Sequence, residues 1–148
     1  MFEQHVLGMV HPAQAVVGSM IERGFGRIVA VASIVGLRAS PNVSPYTVAK
    51  HAMVGLVRSI ALETAGTGVT VNAVCPGFVD TDLIRGPMDK LVQSGMSKEE
   101  ALSRFTARVP VGRLVTPQEV AEAVLYFCSP LAAAATGATL VIGADGAS

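Results

Sequence analysis

The sequence has no tryptophan, few other aromatic residues and little charge, and neither sign of charge is in excess. Its 11 basic residues equal its 11 acidic residues and form no basic run, so nucleic acid is not an expected partner. Hydrophobic residues make up 51% of the chain, which excludes intrinsic disorder. The 148 residues fit one domain, but a mean hydropathy of +0.52 predicts that some apolar surface meets another copy or segment.

Cysteines and uninterrupted apolar segments are also scarce. Cys75 and Cys128 lie far apart with no Cys-x-x-Cys spacing, which predicts two buried, reduced thiols, no metal site and a cytoplasmic protein. The first residues, MFEQHVLG, lack the basic and apolar regions of a signal peptide. The uncharged run 123–144 is long enough to span a membrane, but Ser-Pro and Thr-Gly turn signals interrupt it, so no membrane association is expected.

Strand and helix patterns alternate along the chain, which predicts an α/β fold with a parallel sheet covered on both faces. Ser44 is expected to cap the second helix with Pro45 at its first position, and Thr116 begins a capping box. The Gly- and Pro-containing segment 78–115 is expected to be irregular apart from a short helix over 98–108. The predicted strands are 27–33, 69–75 and 138–142, and the main predicted helices are 2–22, 45–65 and 117–128.

Tyr46 and Lys50 stand four residues apart, on one face of the second predicted helix. Met53 continues that apolar face, so the pair is expected where the helix meets the sheet. A tyrosine hydroxyl ionises at about pH 10, and a nearby ammonium group favours the phenolate, which makes Tyr46 a candidate general acid or base. Ser33 closes the first predicted strand, where open α/β sheets bind ligands, and its hydroxyl could bond a substrate oxygen. These residues could instead be structural, with Lys50 laying its stem along the core.

Several blocks together resemble the short-chain dehydrogenase/reductase family in order and spacing. The resemblance implies a partial Rossmann-like parallel sheet of three strands flanked by helices, and NAD- or NADP-dependent interconversion of a small-molecule alcohol and carbonyl compound. It implies that Ser33 polarises the substrate oxygen, Tyr46 transfers the proton, and Lys50 assists Tyr46 and holds the nicotinamide ribose. The blocks are GRIVAVAS ending at Ser33, YTVAK at 46–50, VNAVCPGFVDT at 71–81, PVGRLVTPQEVA at 110–121 and TGATLV at 136–141.

The same resemblance extends beyond the catalytic residues. It implies the strand order 27–33, 69–75, 138–142, a substrate lid at about 82–110, and a homo-oligomer formed through helices 2–22 and 45–65. The side of the second helix opposite Tyr46 and Lys50 carries a stripe of mostly small residues that suits such an interface, consisting of Val48, Ala52, Gly55 and Ser59. The cofactor-binding residues implied besides Tyr46 and Lys50 are Pro76, Gly77, Val79 and Thr81.

The sequence departs from the family pattern at three places. The glycine-rich turn that holds the cofactor pyrophosphate is absent, so residues 1–148 resemble the C-terminal half of one domain. His5 stands where the family has a fourth catalytic residue, an Asn, and either bonds a water or has no role. Asp145-Gly146 only partly replaces the family's Asp-Gly-Gly turn. Two functions stay open, an oxidoreductase core and a truncated, non-catalytic remnant that serves as an interaction or dimerisation module.

Overall fold

The computed structural model describes residues 1–107 and 109–143, in which helices alternate with parallel strands. The strands are β1 (Gly26–Val31), β2 (Val69–Pro76) and β3 (Thr139–Ile142). The helices are α1 (Gly8–Glu22), which continues a π-helical stretch at Glu3–Leu7, then α2 (Ser44–Glu63), α3 (Asp82–Gln93), α4 (Lys98–Thr106) and α5 (Pro117–Cys128). Short 3-10 turns lie at Ile34–Gly36 and Pro130–Ala132.

The three strands form one parallel sheet in the order β1-β2-β3, which confirms the predicted fold class and strand order. Val74 of β2 lies opposite Val31 of β1 on one side and Leu140 of β3 on the other. All eight residues of β2 are buried, as expected for the central strand of a sheet covered on both faces. Because the strands are parallel, the carboxyl ends of β1 and β2 lie at the same edge of the sheet.

The core has two layers, one on each face of the sheet. Helix α2, with α1 beside it, covers one face, where Val57 and Val71 have no exposed surface. Helix α5 covers the other face, where Phe127 and Ala132 pack against Val74. The polar side chain of Asn72, on this second face, is also fully buried. It donates to the Ala135 carbonyl at 2.8 Å and accepts from the Ala138 N–H at 3.1 Å, which holds the approach to β3 in place.

Two sequence-based predictions about helices were wrong. Ser44 is the first residue of α2 and not its cap, since the cap position is held by Val43 without a side-chain hydrogen bond. The segment 78–115 is not largely irregular, because α3 occupies 82–93 despite Pro87 within it. Proline removes one backbone donor there and crowds the carbonyl four residues earlier, yet the helix continues to Gln93. The short helix predicted over 98–108 is present as α4, ending at Thr106, and the capping box of α5 is confirmed.

Two smaller predictions also need correction. Cys75 is buried as expected, but Cys128 is exposed at the end of α5 because its position faces away from the sheet. Strand β1 ends at Val31, two residues earlier than the predicted end. The predicted turn at Asp145-Gly146 lies outside the described residues. Across residues 1–107 and 109–143, no helix has the length and apolar character needed to cross a membrane.

Candidate active site

Ser33 follows β1 at the carboxyl edge of the sheet. The preceding N–H, of Ala32, donates to the Val74 carbonyl at 2.8 Å and keeps this segment beside β2. Ser33 is buried, and its Oγ accepts a hydrogen bond from the Val35 N–H at 3.3 Å. A hydroxyl that accepts from one group still has its own proton to donate. Ser33 can therefore donate to an oxygen brought to this edge.

Helix α2 presents Tyr46 and Lys50 from successive turns, as the four-residue spacing predicts. Lys50 is only 6% exposed, and Met53 and Val57 continue its buried face. The Lys50 ammonium nitrogen lies 5.6 Å from the centre of the Tyr46 ring. It also donates a hydrogen bond to the Val31 carbonyl oxygen at 3.1 Å. The ammonium group therefore links the end of β1 to the tyrosine on α2.

The turn after Ser33 packs directly on α2. A side chain at Gly36 would place its Cβ 2.7 Å from the Lys50 carbonyl oxygen and 3.2 Å from a methyl group of Val54. Since backbone atoms block that space, only glycine allows this approach. The Gly36 N–H in turn donates to the Ser33 carbonyl at 2.9 Å. Gly36 thus brings the serine turn against the helix that carries Tyr46 and Lys50.

Burial dominates the electrostatics beneath the site. It lowers the pKa of the Lys50 ammonium below the usual value for lysine. It raises the pKa of the Cys75 thiol, which also accepts a hydrogen bond from the Ser33 backbone N–H. The thiol is therefore held in its neutral form at the end of β2, within electrostatic reach of the buried Lys50 side chain.

The residues predicted to contact nicotinamide start from the same edge as Ser33. Pro76 ends β2, and the Gly77 N–H donates to the Ile142 carbonyl at 2.9 Å, so the backbone leaves the sheet beside β3. Since β1 and β2 are parallel neighbours, Ser33 and Pro76 each stand two residues beyond the paired residues Val31 and Val74. The sheet therefore places the serine turn and the Pro-Gly turn side by side.

Val79 and Thr81 continue this segment as a braced loop. Val79 forms a parallel bridge with Val115, and the Asp80 N–H donates to the Val115 carbonyl at 2.8 Å. The Thr81 hydroxyl donates to the Val79 carbonyl at 3.4 Å. Asp80 is also paired with Arg85, whose Nε lies 2.8 Å from a carboxylate oxygen, and this partner lowers the pKa of the Asp80 carboxyl. The loop is thus held by Val115 on one side and by Arg85 on the other.

Helices α3 and α4 follow this loop and are weakly anchored to the rest of the described structure. Helix α3 buries none of its residues, and α4 buries only Ala101. An edge-on ring contact between Phe78 and Phe105, with centroids 5.5 Å apart, connects α4 to the loop, and the buried Val109 lies near the end of β3. Few buried apolar contacts are a mark of low local stability.

His5 reaches the same site from the opposite end of the chain. Its ring lies edge-on to the Tyr46 ring, with the centroids 5.7 Å apart and the planes at 73°. Burial first, then the charges of Lys50 and of the Met1 amino group, lower the pKa of His5. The sequence marked His5 only through its alignment with the family's catalytic Asn, and the ring contact itself depends on how the first turns of the chain pack on α2.

Comparisons with known proteins agree with this architecture. The family model described as enoyl-(acyl carrier protein) reductase matches residues 1–146. A relative from Streptomyces coelicolor is 48% identical over 124 residues, which are 83% of this chain and 48% of the relative. The acetoacetyl-CoA reductase of Rhizobium meliloti is 37% identical over 135 residues, which are 91% of this chain and 51% of that protein. The chain thus spans about half the length of the curated relatives it matches.

A solved structure, of an F189W actinorhodin polyketide ketoreductase with NADPH, is also similar, with 46% identity and a TM-score of 0.77. The match covers 86% of this chain and 49% of the ketoreductase. The fold, the order of the motifs and the sequence identity agree with one another, and the family model matches all but the last two residues. This chain belongs to the short-chain dehydrogenase/reductase family.

Proposed function

We propose that residues 1–148 form the C-terminal, catalytic part of an NAD(P)-dependent oxidoreductase domain that interconverts an alcohol and a carbonyl compound. The observation that carries this proposal is the placement of Lys50, which is buried, bonded to the end of β1 and 5.6 Å from the Tyr46 ring. A lysine is rarely buried without a functional or pairing reason. Here it stands beside a tyrosine at the sheet edge where α/β proteins bind ligands.

In the proposed mechanism each residue has one task. When bound, the nicotinamide cofactor supplies or accepts the hydride. The Ser33 hydroxyl donates a hydrogen bond to the carbonyl oxygen of the substrate and orients it, without giving up its proton, since its Oγ already accepts from the Val35 N–H. Tyr46 gives its proton to that oxygen during reduction and takes it back during oxidation. The Lys50 ammonium stabilises the negative charge that develops on the phenol oxygen.

The residues present fit one end of such a cofactor. Lys50 has three N–H donors, and one of them goes to the Val31 carbonyl, so donors remain for ribose hydroxyls. In the half-buried turn with Gly77, Val79 and Thr81, the Gly77 N–H and the Thr81 hydroxyl proton are already bonded, so the turn offers oxygen acceptors to the amide group of a carboxamide. The chain contains no glycine-rich turn for a pyrophosphate, so another segment would supply those contacts. The segment 82–110 is proposed as the substrate lid.

The reductase names of the relatives support a carbonyl substrate, and acetoacetyl-CoA gives a first choice for assays. The direct test of the proposal is a titration of the chain with NADH and NADPH, followed by nicotinamide fluorescence. Saturable binding that weakens in Lys50→Ala and persists in the matched surface variant Lys90→Ala would support it. No binding up to millimolar cofactor, in this chain and in a longer protein that contains it, would overturn it.

A second function, as a non-catalytic interaction module, is favoured by one specific observation. The outer face of α2 is open, because Val48 is 62% exposed and a Cβ at Gly55 would meet nothing within 4 Å. A stripe of small residues lets another helix approach closely. Association of the chain without any cofactor binding would favour this second function.

A further inference from the structure

His5 is a polar ring whose contact with the proposed proton donor has no role in the mechanism above. It lies in the π-helical stretch before α1, is partly buried and meets Tyr46 edge-on, with ring centroids 5.7 Å apart. The groove beside this pair has a volume of about 440 Å³ and is bordered by His5, Lys50 and the outer side of β1. An imidazole at this place contacts the tyrosine and lies within electrostatic reach of the lysine.

The charges around His5 favour one protonation state. The side chains that face it are the Tyr46 phenol and the Lys50 ammonium, both on α2. Partial burial removes water that would solvate an imidazolium, and the Lys50 ammonium repels its positive charge. Both effects disfavour the imidazolium, so the pKa of His5 falls below its ordinary value of 6.5. Neutral His5 is therefore the form that packs on Tyr46 at neutral pH.

We propose that neutral His5 is a positioning residue for Tyr46, which it holds against the Lys50 side of the site, and that protonation of His5 breaks this contact. Edge-on ring pairs contribute orientation as well as contact area, and a protonated ring beside Lys50 would be repelled. The inference rests on the proposed role of Tyr46, and it makes Tyr46 responsive to mildly acidic pH through a group other than its own hydroxyl.

The chain itself supplies a suitable probe. It has no tryptophan and only two tyrosines, so Tyr126→Phe leaves Tyr46 as the single source of tyrosine fluorescence. The emission of a phenol changes when an imidazole in contact with it gains a proton. In this background the emission of Tyr46 is measured against pH at micromolar protein, and circular dichroism at each pH confirms that the helices persist.

The expected result is a single step in the emission as the pH falls, with a midpoint below 6.5, the ordinary value for histidine. His5→Asn should abolish the step, while His11→Asn, which changes an exposed histidine of α1, should leave it unchanged. Lys50→Met should move the midpoint upward, since it removes a charge that opposes protonation of His5. His5→Phe keeps a ring beside Tyr46 that cannot be protonated, so its emission should be flat even if His5→Asn perturbs α1.

The inference would be overturned by a step that survives both His5 variants, by its disappearance in His11→Asn, or by a midpoint that Lys50→Met does not move. These outcomes need neither cofactor nor substrate. The absence of cofactor binding would refute the proposed oxidoreductase and leave the emission result intact, so the two failures are distinguishable.

Discussion

At the scale of single residues, the site combines a buried cation with a phenol and a hydroxyl on different elements. Lys50 is anchored to the Val31 carbonyl and is 6% exposed, so its position is fixed before any ligand arrives. Ser33 is fixed by the Val35 N–H and by the close packing of Gly36 on the Lys50 carbonyl. Preorganised groups of this kind stabilise developing charge without having to reorganise during the reaction.

The first prediction concerns Tyr46. In a protein that joins this chain to a segment with a phosphate-binding turn, Tyr46→Phe should lower kcat by about 10²–10⁴-fold, the usual effect of losing a general acid or base. Cofactor affinity should change little, because the ring and Lys50 remain. The measurement is steady-state reduction of a carbonyl substrate beside a cofactor titration. Tyr126→Phe is the matched control, since Tyr126 lies exposed on α5, and more than half the activity left in Tyr46→Phe would refute the assignment.

The second prediction is that replacing Lys50 makes the protein more stable to heat but abolishes cofactor binding. Burial lowers the pKa of Lys50, so the folded state disfavours the charged form that the unfolded chain carries freely. At a pH below the pKa of Lys50 in both the folded and the unfolded chain, this cost to the free energy of folding is constant. It diminishes only as the pH rises toward the ordinary pKa of 10.5. Lys50→Met should therefore raise Tm at pH 7 by roughly 2–4 °C for each kcal/mol of penalty removed, while cofactor binding is lost.

The check on this second prediction is its dependence on pH. The gain in Tm of Lys50→Met over the unchanged chain should shrink between pH 7 and pH 10, whereas Lys90→Met, on the exposed side of α3, should show no such trend. A lower Tm for Lys50→Met at every pH would mean that the hydrogen bond to Val31 outweighs the cost of burying the charge.

At the scale of elements, the periodic sequence patterns predicted most of the helices and strands. Predictions from local signals were wrong only where contacts between distant segments determine the structure. The all-buried strand β2 and the capping box of α5 were readable because their signals are local. Helix α3 was missed because Gly86 and Pro87 are typical breakers, yet the helix tolerates both. The family resemblance marked His5 as a candidate site residue, but it did not predict the ring contact with Tyr46, which joins segments 41 residues apart through the packing of α2.

The third prediction tests the outer face of α2 as an interface. Gly55→Leu should leave the isolated fold unharmed or slightly more stable, because nothing lies within 4 Å of the added Cβ and leucine favours helices by up to about 1 kcal/mol over glycine. In an associated form the same side chain should overpack the contact and cost about 1–3 kcal/mol. Sedimentation should therefore show weaker association with an unchanged or higher monomer Tm.

A graded variant keeps this test decisive. Gly55→Ala adds only a methyl group, so it should weaken association less than leucine does while also favouring the helix. A wild-type chain that sediments as a strict monomer and melts cooperatively would count against an interface on this face of α2, as would equal association of all three proteins.

At the scale of the whole molecule, the sheet is open along β1. The order β1-β2-β3 leaves the outer side of β1 without a strand neighbour among residues 1–107 and 109–143. Val31 is 47% exposed there, and the groove of about 440 Å³ runs along this strand between α1 and α2. The strand GRIVAV has no proline, and Arg27 near its start is its single charged residue, so little in its composition discourages pairing along this edge.

The last prediction follows from this edge and from relatives about twice as long as the matched region. Residues 1–148 alone should be marginally stable, because an unpaired parallel strand leaves backbone donors and acceptors and apolar surface in water. They should aggregate or pair β1 with another copy, and bind dinucleotide weakly. Adding the segment that corresponds to the remaining half of the relatives, in trans or fused upstream, should restore solubility and cofactor binding together, measured by light scattering and nicotinamide fluorescence.

The control variant Val31→Lys should reduce aggregation without restoring binding, because a charge blocks edge pairing but supplies no phosphate contacts. A soluble, cooperatively melting monomer with tight NAD(P) affinity would show that residues 1–148 are not part of a larger domain.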